Sequence, residues 1–150
     1  MSSAYSQQER EQLAADGLRA LRRATEKALR RQVVTLEDLE DATRRLEAAG
    51  FDIADSSPVM TQGIVFTDDP NLALASLRIE LERRLRRTAS NEPRILDLIY
   101  ESRRFTEPQS SALVHLVTLL NSAVHGADVT KDAPAWVEQT GSRIVSAIAH

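Results

Sequence analysis

The chain has 150 residues, 42% apolar and 27% charged, with a formal net charge of −3. That suits one globular domain, or a core domain with a helical extension, and excludes wholesale disorder. The absence of cysteine, with only three histidines, five glycines and 4% aromatics, argues against a disulfide framework, a thiol nucleophile, a cysteine zinc site and a β sandwich or barrel, so no cofactor or metal is expected.

The opening MSSAYSQQEREQ is polar, lacks an apolar signal region, and predicts a cytoplasmic protein. From Gln8 to Gln32 the spacing of Ala14, Leu18, Leu21, Ala28 and Leu29 predicts a helix with one apolar face. The opposite face carries Arg19, Arg23, Lys27 and Arg31, each four residues from the next. Like charges at that spacing repel by about 0.2–0.5 kcal/mol per pair, so a compensating partner is expected. A second helix opens at Thr35, with Asp38 completing a capping box. It ends at Gly50, a left-handed terminator with Phe51 as its cap contact. Leu36, Leu39, Ala42, Leu46 and Ala49 form its apolar face, and Glu37, Glu40, Asp41 and Glu47 make it acidic. Packed antiparallel on the first helix, it would face the basic stripe. Serine, proline and glycine then interrupt short apolar runs, so 51–67 reads as a connector with one or two short extended pieces. It divides an N-terminal helical hairpin, 1–50, from a main bundle, 68–150.

The third helix opens at Asp68-Asp69-Pro70 and runs to about Ala89, with Leu74, Leu77, Leu81 and Leu85 as its apolar line. The run Arg83, Arg84, Arg86, Arg87 reads as a solvated face partly neutralised by Glu80 and Glu82. A short helix follows Pro93 with Ile95, Leu96, Leu98, Ile99 and Tyr100. A fifth helix spans about Pro108 to Val124, with Leu113, Leu116, Leu120 and Ala123 on one face and Gly126 just past its end. Its apolar stretch is too short to span a bilayer, so no membrane partner is expected. A last helix follows Pro134, with Val137, Gly141, Ile144 and Ile148 inward and Trp136 as a bundle contact. The fold class expected is all-α: an antiparallel bundle with an N-terminal hairpin.

Charge is divided unevenly along this order. Residues 1–31 and 71–104 each carry +3, whereas 32–70 carry −7 and 105–150 carry −2. Neighbouring elements can neutralise one another within one fold, or one basic face can be left for phosphate or an acidic partner. Few aromatics argue against a base-stacking platform, and no serine elbow or phosphate-binding glycine loop occurs.

One constellation has chemical content. Asn121 and His125 are one helical turn apart at the end of the fifth helix, followed by Gly126. A histidine at a helix C-terminus meets the negative end of the dipole, which favours its charged form. Such a group acts as general acid or base, or holds a phosphate. The plainer alternative is that both side chains satisfy exposed carbonyls or bridge to a neighbouring helix.

The order DPNLALASLRIELERRLRRTAS, ILDLIY, LLNSAVHG, APAWVEQTGSRIVSAI resembles the HEPN superfamily, the higher eukaryotes and prokaryotes nucleotide-binding domain. The likeness is to bacterial branches of unassigned function with an Asn-x-x-x-His-Gly signature, and it covers about residues 68–149. It implies a compact α bundle that often dimerises. In active members an arginine, then four to six residues, then a histidine form the site of a metal-independent ribonuclease. By this resemblance His125 matches the histidine and Asn121 the polar residue after the arginine. The arginine position itself is Leu120, and Thr118 and Leu119 are not arginine either. Leucine cannot stabilise a developing phosphorane, so the charge would have to come from Arg78, Arg103 or Arg104.

The function expected is therefore a HEPN-like binding or regulatory module of a bacterial regulatory or defence-type system, catalytically degraded and self-associating. The alternatives are a metal-independent endoribonuclease using His125 with an arginine from elsewhere, and an oligomerisation or scaffold domain with no RNA link. The partners expected are a second copy, a protein bound through the N-terminal hairpin, and RNA. The candidate contacts are Arg19, Arg23, Lys27, Arg31, Arg78, Arg103 and Arg104.

Overall fold

Caps and core-facing leucines set the elements of the computed structural model, which describes residues 6–29, 32–57, 67–86, 94–101 and 104–149, with the side chains of 17, 20–29, 101 and 149 outside that set. The chain divides into two compact units, 1–30 and 31–150. The first holds helix α1, Gln7–Leu29. Ser6 and Glu9 cap its start reciprocally, each side-chain oxygen accepting the other's backbone N–H at 3.2 Å.

The second unit holds everything else, including helix α2, Leu36–Ala48. Its capping box is as the sequence predicts, Thr35 Oγ1 accepting from Asp38 N at 3.1 Å and Asp38 Oδ2 from Thr35 N at 2.9 Å. Gly50 terminates it at φ +107°, with Phe51 N–H donating to Leu46 O at 3.1 Å. The compact unit that holds α2 begins at 31, not after 50. Leu39, Ala42 and Leu46 are buried, and α2 packs on helix α5, Glu107–Val124, inside the unit 31–150. An apolar face with a central helix available joins the common core.

Helix α3, Pro70–Arg86, opens under an aspartate cap: Asp69 Oδ1 accepts from Asn71 N at 3.0 Å and Leu72 N at 3.2 Å. Leu74, Leu77, Leu81 and Leu85 are buried as their spacing predicts. Helix α4 is Ile95–Glu101. Helix α5 starts one residue before Pro108, because Thr106 and Gln109 form a second capping box. It is the centre of the core. Ala112, Val117 and Leu119 are buried along with the predicted Leu113, Leu116, Leu120 and Ala123, and α2, α3 and α4 surround it.

Two strands of two residues each, β1 Val33–Val34 and β2 Asp128–Val129, pair in parallel. Asp128 N–H donates to Gln32 O at 2.7 Å and Thr130 N–H to Val34 O at 2.9 Å. Strands this short leave no alternation to read in the sequence. The single final helix expected after Pro134 is three pieces: α6, Ala133–Trp136, a π-helical turn at Val137–Gly141, and α7, Ser142–Ala149. Val137, Gly141, Ile144 and Ile148 do face inward. In the connector, Phe51 and Ile53 are buried but 51–57 holds no strand, and 58–66 lies outside the described residues. Arg143 fastens its start, Nη1 donating to Ala54 O at 3.0 Å. No helix among the described residues is long and apolar enough to cross a membrane.

Candidate functional site

The site is built on the last turn of α5. The helix ends at His125, with φ −90° and ψ 17°, and Gly126 follows at φ +90°. Gly126 N–H donates to Ala123 O at 3.2 Å and Ala127 N–H to Ser122 O at 3.0 Å. This pair of bonds is the Schellman closure, and it needs the left-handed residue that glycine supplies. His125 N–H stays in the helix, donating to Asn121 O at 3.0 Å. Its ring is exposed and makes no hydrogen bond among the described residues.

Asn71, which the sequence reading did not single out, fixes this turn. Its Nδ2 donates to Ala123 O and to Ala127 O, both at 2.9 Å, bridging the residues on either side of His125. The first turn of α3 is thereby fastened to the last turn of α5. A one-residue amide spanning two distant carbonyls leaves no local sequence signal; only its place two residues after a capping aspartate hints at a fixed position.

Arg78, one of the three arginines considered for the missing charge, is brought to the site. Its Nε donates to Asn121 Oδ1. Its Nη1 lies 3.5 Å from Glu82 Oε2, and both side chains are about one quarter exposed, 27% and 26%. Glu82 is shared, since its other oxygen takes Arg86 Nη2 at 2.7 Å. The guanidinium thus sits one helical turn from His125 along the Asn121 face, with part of its charge already answered.

Arg104 is not brought there. Its Nη2 donates to Ile148 O at 2.7 Å and its guanidinium lies over the Phe105 ring at 5.5 Å. It belongs to the opposite end of α5, about 27 Å away at 1.5 Å per residue. Arg103 and Arg31 lie outside the described residues, as do the side chains of Arg23 and Lys27. Arg19 pairs weakly with Asp16 at 3.7 Å on its own helix. Of the arginine run, Arg83 and Arg84 pair with the buried Glu80 at 3.2 and 3.0 Å, and Arg86 with Glu82; Arg87 is outside the described residues.

Leu120 is 0% exposed, packed in the core. A leucine there fills space among apolar neighbours and has no outlet to a surface cleft. Exposed apolar residues lie on the same two helices, α3 and α5. Leu72 and Ile79, two turns apart on one face of α3, are about half exposed, as is Val124, which follows the carbonyl that Asn71 holds. Elsewhere on α5, His115 Nε2 lies 3.8 Å from Asp41 Oδ2. The Arg45 hydrogen bond, with the charges of Arg45, His115 and Arg44, holds the Asp41 carboxyl below its ordinary value. Among the described residues no group of three or more His, Asp or Glu side chains is placed to hold a metal ion.

The chain matches no family model, no curated protein and no solved structure.

Proposed function

We infer that this chain is a HEPN-like helical module that works by binding, with a catalytically degraded site and self-association through the α3–α5 face. The observation that carries this reading is the complete burial of Leu120, the position the ribonuclease motif gives to arginine. A core leucine cannot meet a phosphate, and a core arginine would cost several kcal/mol. Around the site, exposed Leu72, Ile79 and Val124 offer apolar area beside the half-buried Arg78 and Glu82, a mixture that suits a protein surface. The setting, a bacterial regulatory or defence-type system, comes from the resemblance alone.

Sedimentation velocity tests the self-association. The wild-type chain is expected to show a concentration-dependent dimer, and Ile79→Asp to shift it to monomer with its melting temperature kept, because Ile79 is half exposed. A wild type that stays monomeric at all concentrations overturns this part of the reading.

A second reading is favoured by the Arg78–Asn121 contact: a metal-independent endoribonuclease in which Arg78 supplies the charge missing at Leu120 and His125 moves the proton. It requires Arg78 to exchange Glu82 for phosphate. It predicts RNA cleavage lost in both Arg78→Ala and His125→Ala; retention in either variant removes it.

A further inference from the structure

Helix α2 carries Glu40 and Arg44 four residues apart, in the order that favours an ion pair along a helix. On α3 the same spacing closes twice, Glu80 with Arg84 at 3.0 Å and Glu82 with Arg86 at 2.7 Å. On α2 it stays open. Glu40 has no ion pair among the described residues. Among the described residues Arg44, 64% exposed, reaches only Asp41 at 3.9 Å, and that carboxylate is already held by Arg45 at 2.8 Å.

The open pair lines a cleft of about 480 Å³ whose other wall is α6 and the π-helical turn. The volume falls within the range of small-ligand sites. Leu36 and the largely buried Trp136 supply apolar surface, Gln139 and Thr140 supply hydrogen-bonding groups, and Asp132 adds a second carboxylate on the wall opposite Arg44. The π turn is itself informative. Such turns are rare and recur at functional sites. Here it lets Gly141 approach α3 so closely that a Cβ would stand 3.1 Å from Leu77 Cδ2, and it places Gln139 and Thr140 on the cleft wall.

A ligand that uses all of these features has an ammonium for Glu40, a carboxylate for Arg44 and an apolar group for Leu36 and Trp136. A phosphate ester would meet the carboxylates of Glu40 and Asp132, with Arg44 alone among the lining residues to answer its charge. A peptide carries its two charges at separate ends, whereas a free amino acid carries both on one carbon, matching two groups one helical turn apart. We propose that the cleft between α2 and the π-helical turn binds a free apolar α-amino acid as its zwitterion. The cleft shares no lining residue with the Arg78–Asn121–His125 site, so this assignment stands apart from the function proposed above.

Trp136 is the only tryptophan of the chain, so its fluorescence reports on the cleft directly. The full chain is titrated with L-leucine and L-phenylalanine, and with N-acetyl-L-leucine and L-leucinamide, up to about 10 mM, with calorimetry as a second readout. The expected result is a saturable response to a free amino acid, with affinity at least about tenfold weaker for either blocked derivative. Glu40→Gln and Arg44→Gln should each weaken it by about tenfold with the melting temperature unchanged, since both side chains are exposed. No saturable response to either free amino acid by both readouts, equal affinity for the blocked derivatives, or unchanged affinity in the two variants would each overturn the proposal.

Discussion

The two ends of α5 put arginine to opposite uses. At the N-terminal end the chain closes on itself: Thr106 and Gln109 cap the helix, Phe105 meets Phe51 edge-on at 5.8 Å between ring centroids, and Arg104 binds Ile148 O. At the C-terminal end the backbone is equally well closed, by Asn71 and Gly126, but the side chains above it are left half open. His125 is exposed, Arg78 is shared between Asn121 and Glu82, and apolar Val124 stands beside them. A rigid backbone under open side chains is what recognition requires, because order is imposed before a partner arrives. Arg104 is used up in closing a helix end, whereas the Arg78 guanidinium, shared between Asn121 and Glu82, keeps about a quarter of its side chain exposed.

That contrast can be broken in several ways, the largest first. Leu120→Arg creates an arginine separated from His125 by four residues in sequence but places a charge in the core, so a loss above about 4 kcal/mol is expected by urea denaturation. A stable Leu120→Arg chain would mean the position has a route to the surface. Asn71→Ala removes both bonds to the turn at 2.9 Å; Ala123 O keeps the Gly126 N–H but Ala127 O loses this donor, with an expected cost of about 1–3 kcal/mol. Hydrogen exchange should quicken at Ala127, whose amide closes that turn. Arg104→Ala gives up the Ile148 carbonyl and the Phe105 ring for about 1–2 kcal/mol, and leaves self-association unchanged. A dimer weakened by Arg104→Ala would erase the distinction between the two ends.

The smallest effect lies between the ends, where Asp41 meets Arg45 and His115. The Asp41 carboxyl titrates lower in the folded chain than in the unfolded one, so the unfolded state binds the proton first. Its contribution is full above the ordinary value of 3.8 and is lost as the pH falls through the lowered one. Melting curves of the wild type and Asp41→Asn should differ slightly above about pH 5 and converge in acid. A difference that grows toward low pH would contradict the assignment.

Much of this contrast can be read in the residues themselves. The capping threonines and aspartates, the glycine stops and the leucine spacing of α3 all act within one helical turn, and the sequence places them within a residue or so. The Glu80 and Glu82 pairs are local in the same sense. What depends on distant partners is not encoded that way. The burial of α2 against α5 is set by where an apolar face finds room, and the compact unit that contains both starts at 31. Asn71 across to Ala123 and Arg78 across to Asn121 join residues far apart in the chain, and only Arg78 carries a charge that marks it as a candidate in the sequence. The π turn leaves no mark beyond Gly141, since its extra residue preserves the inward face of the final helix.

The claim that the His125 end recognises and does not cut is met most directly by one assay. Purified wild-type chain and folded His125→Ala are incubated with single-stranded and structured RNAs in excess chelator. Both proteins are expected to show the same background cleavage. Cleavage by the wild type that disappears in His125→Ala would contradict it and make Arg78, held beside Asn121, the residue that completes a working ribonuclease site.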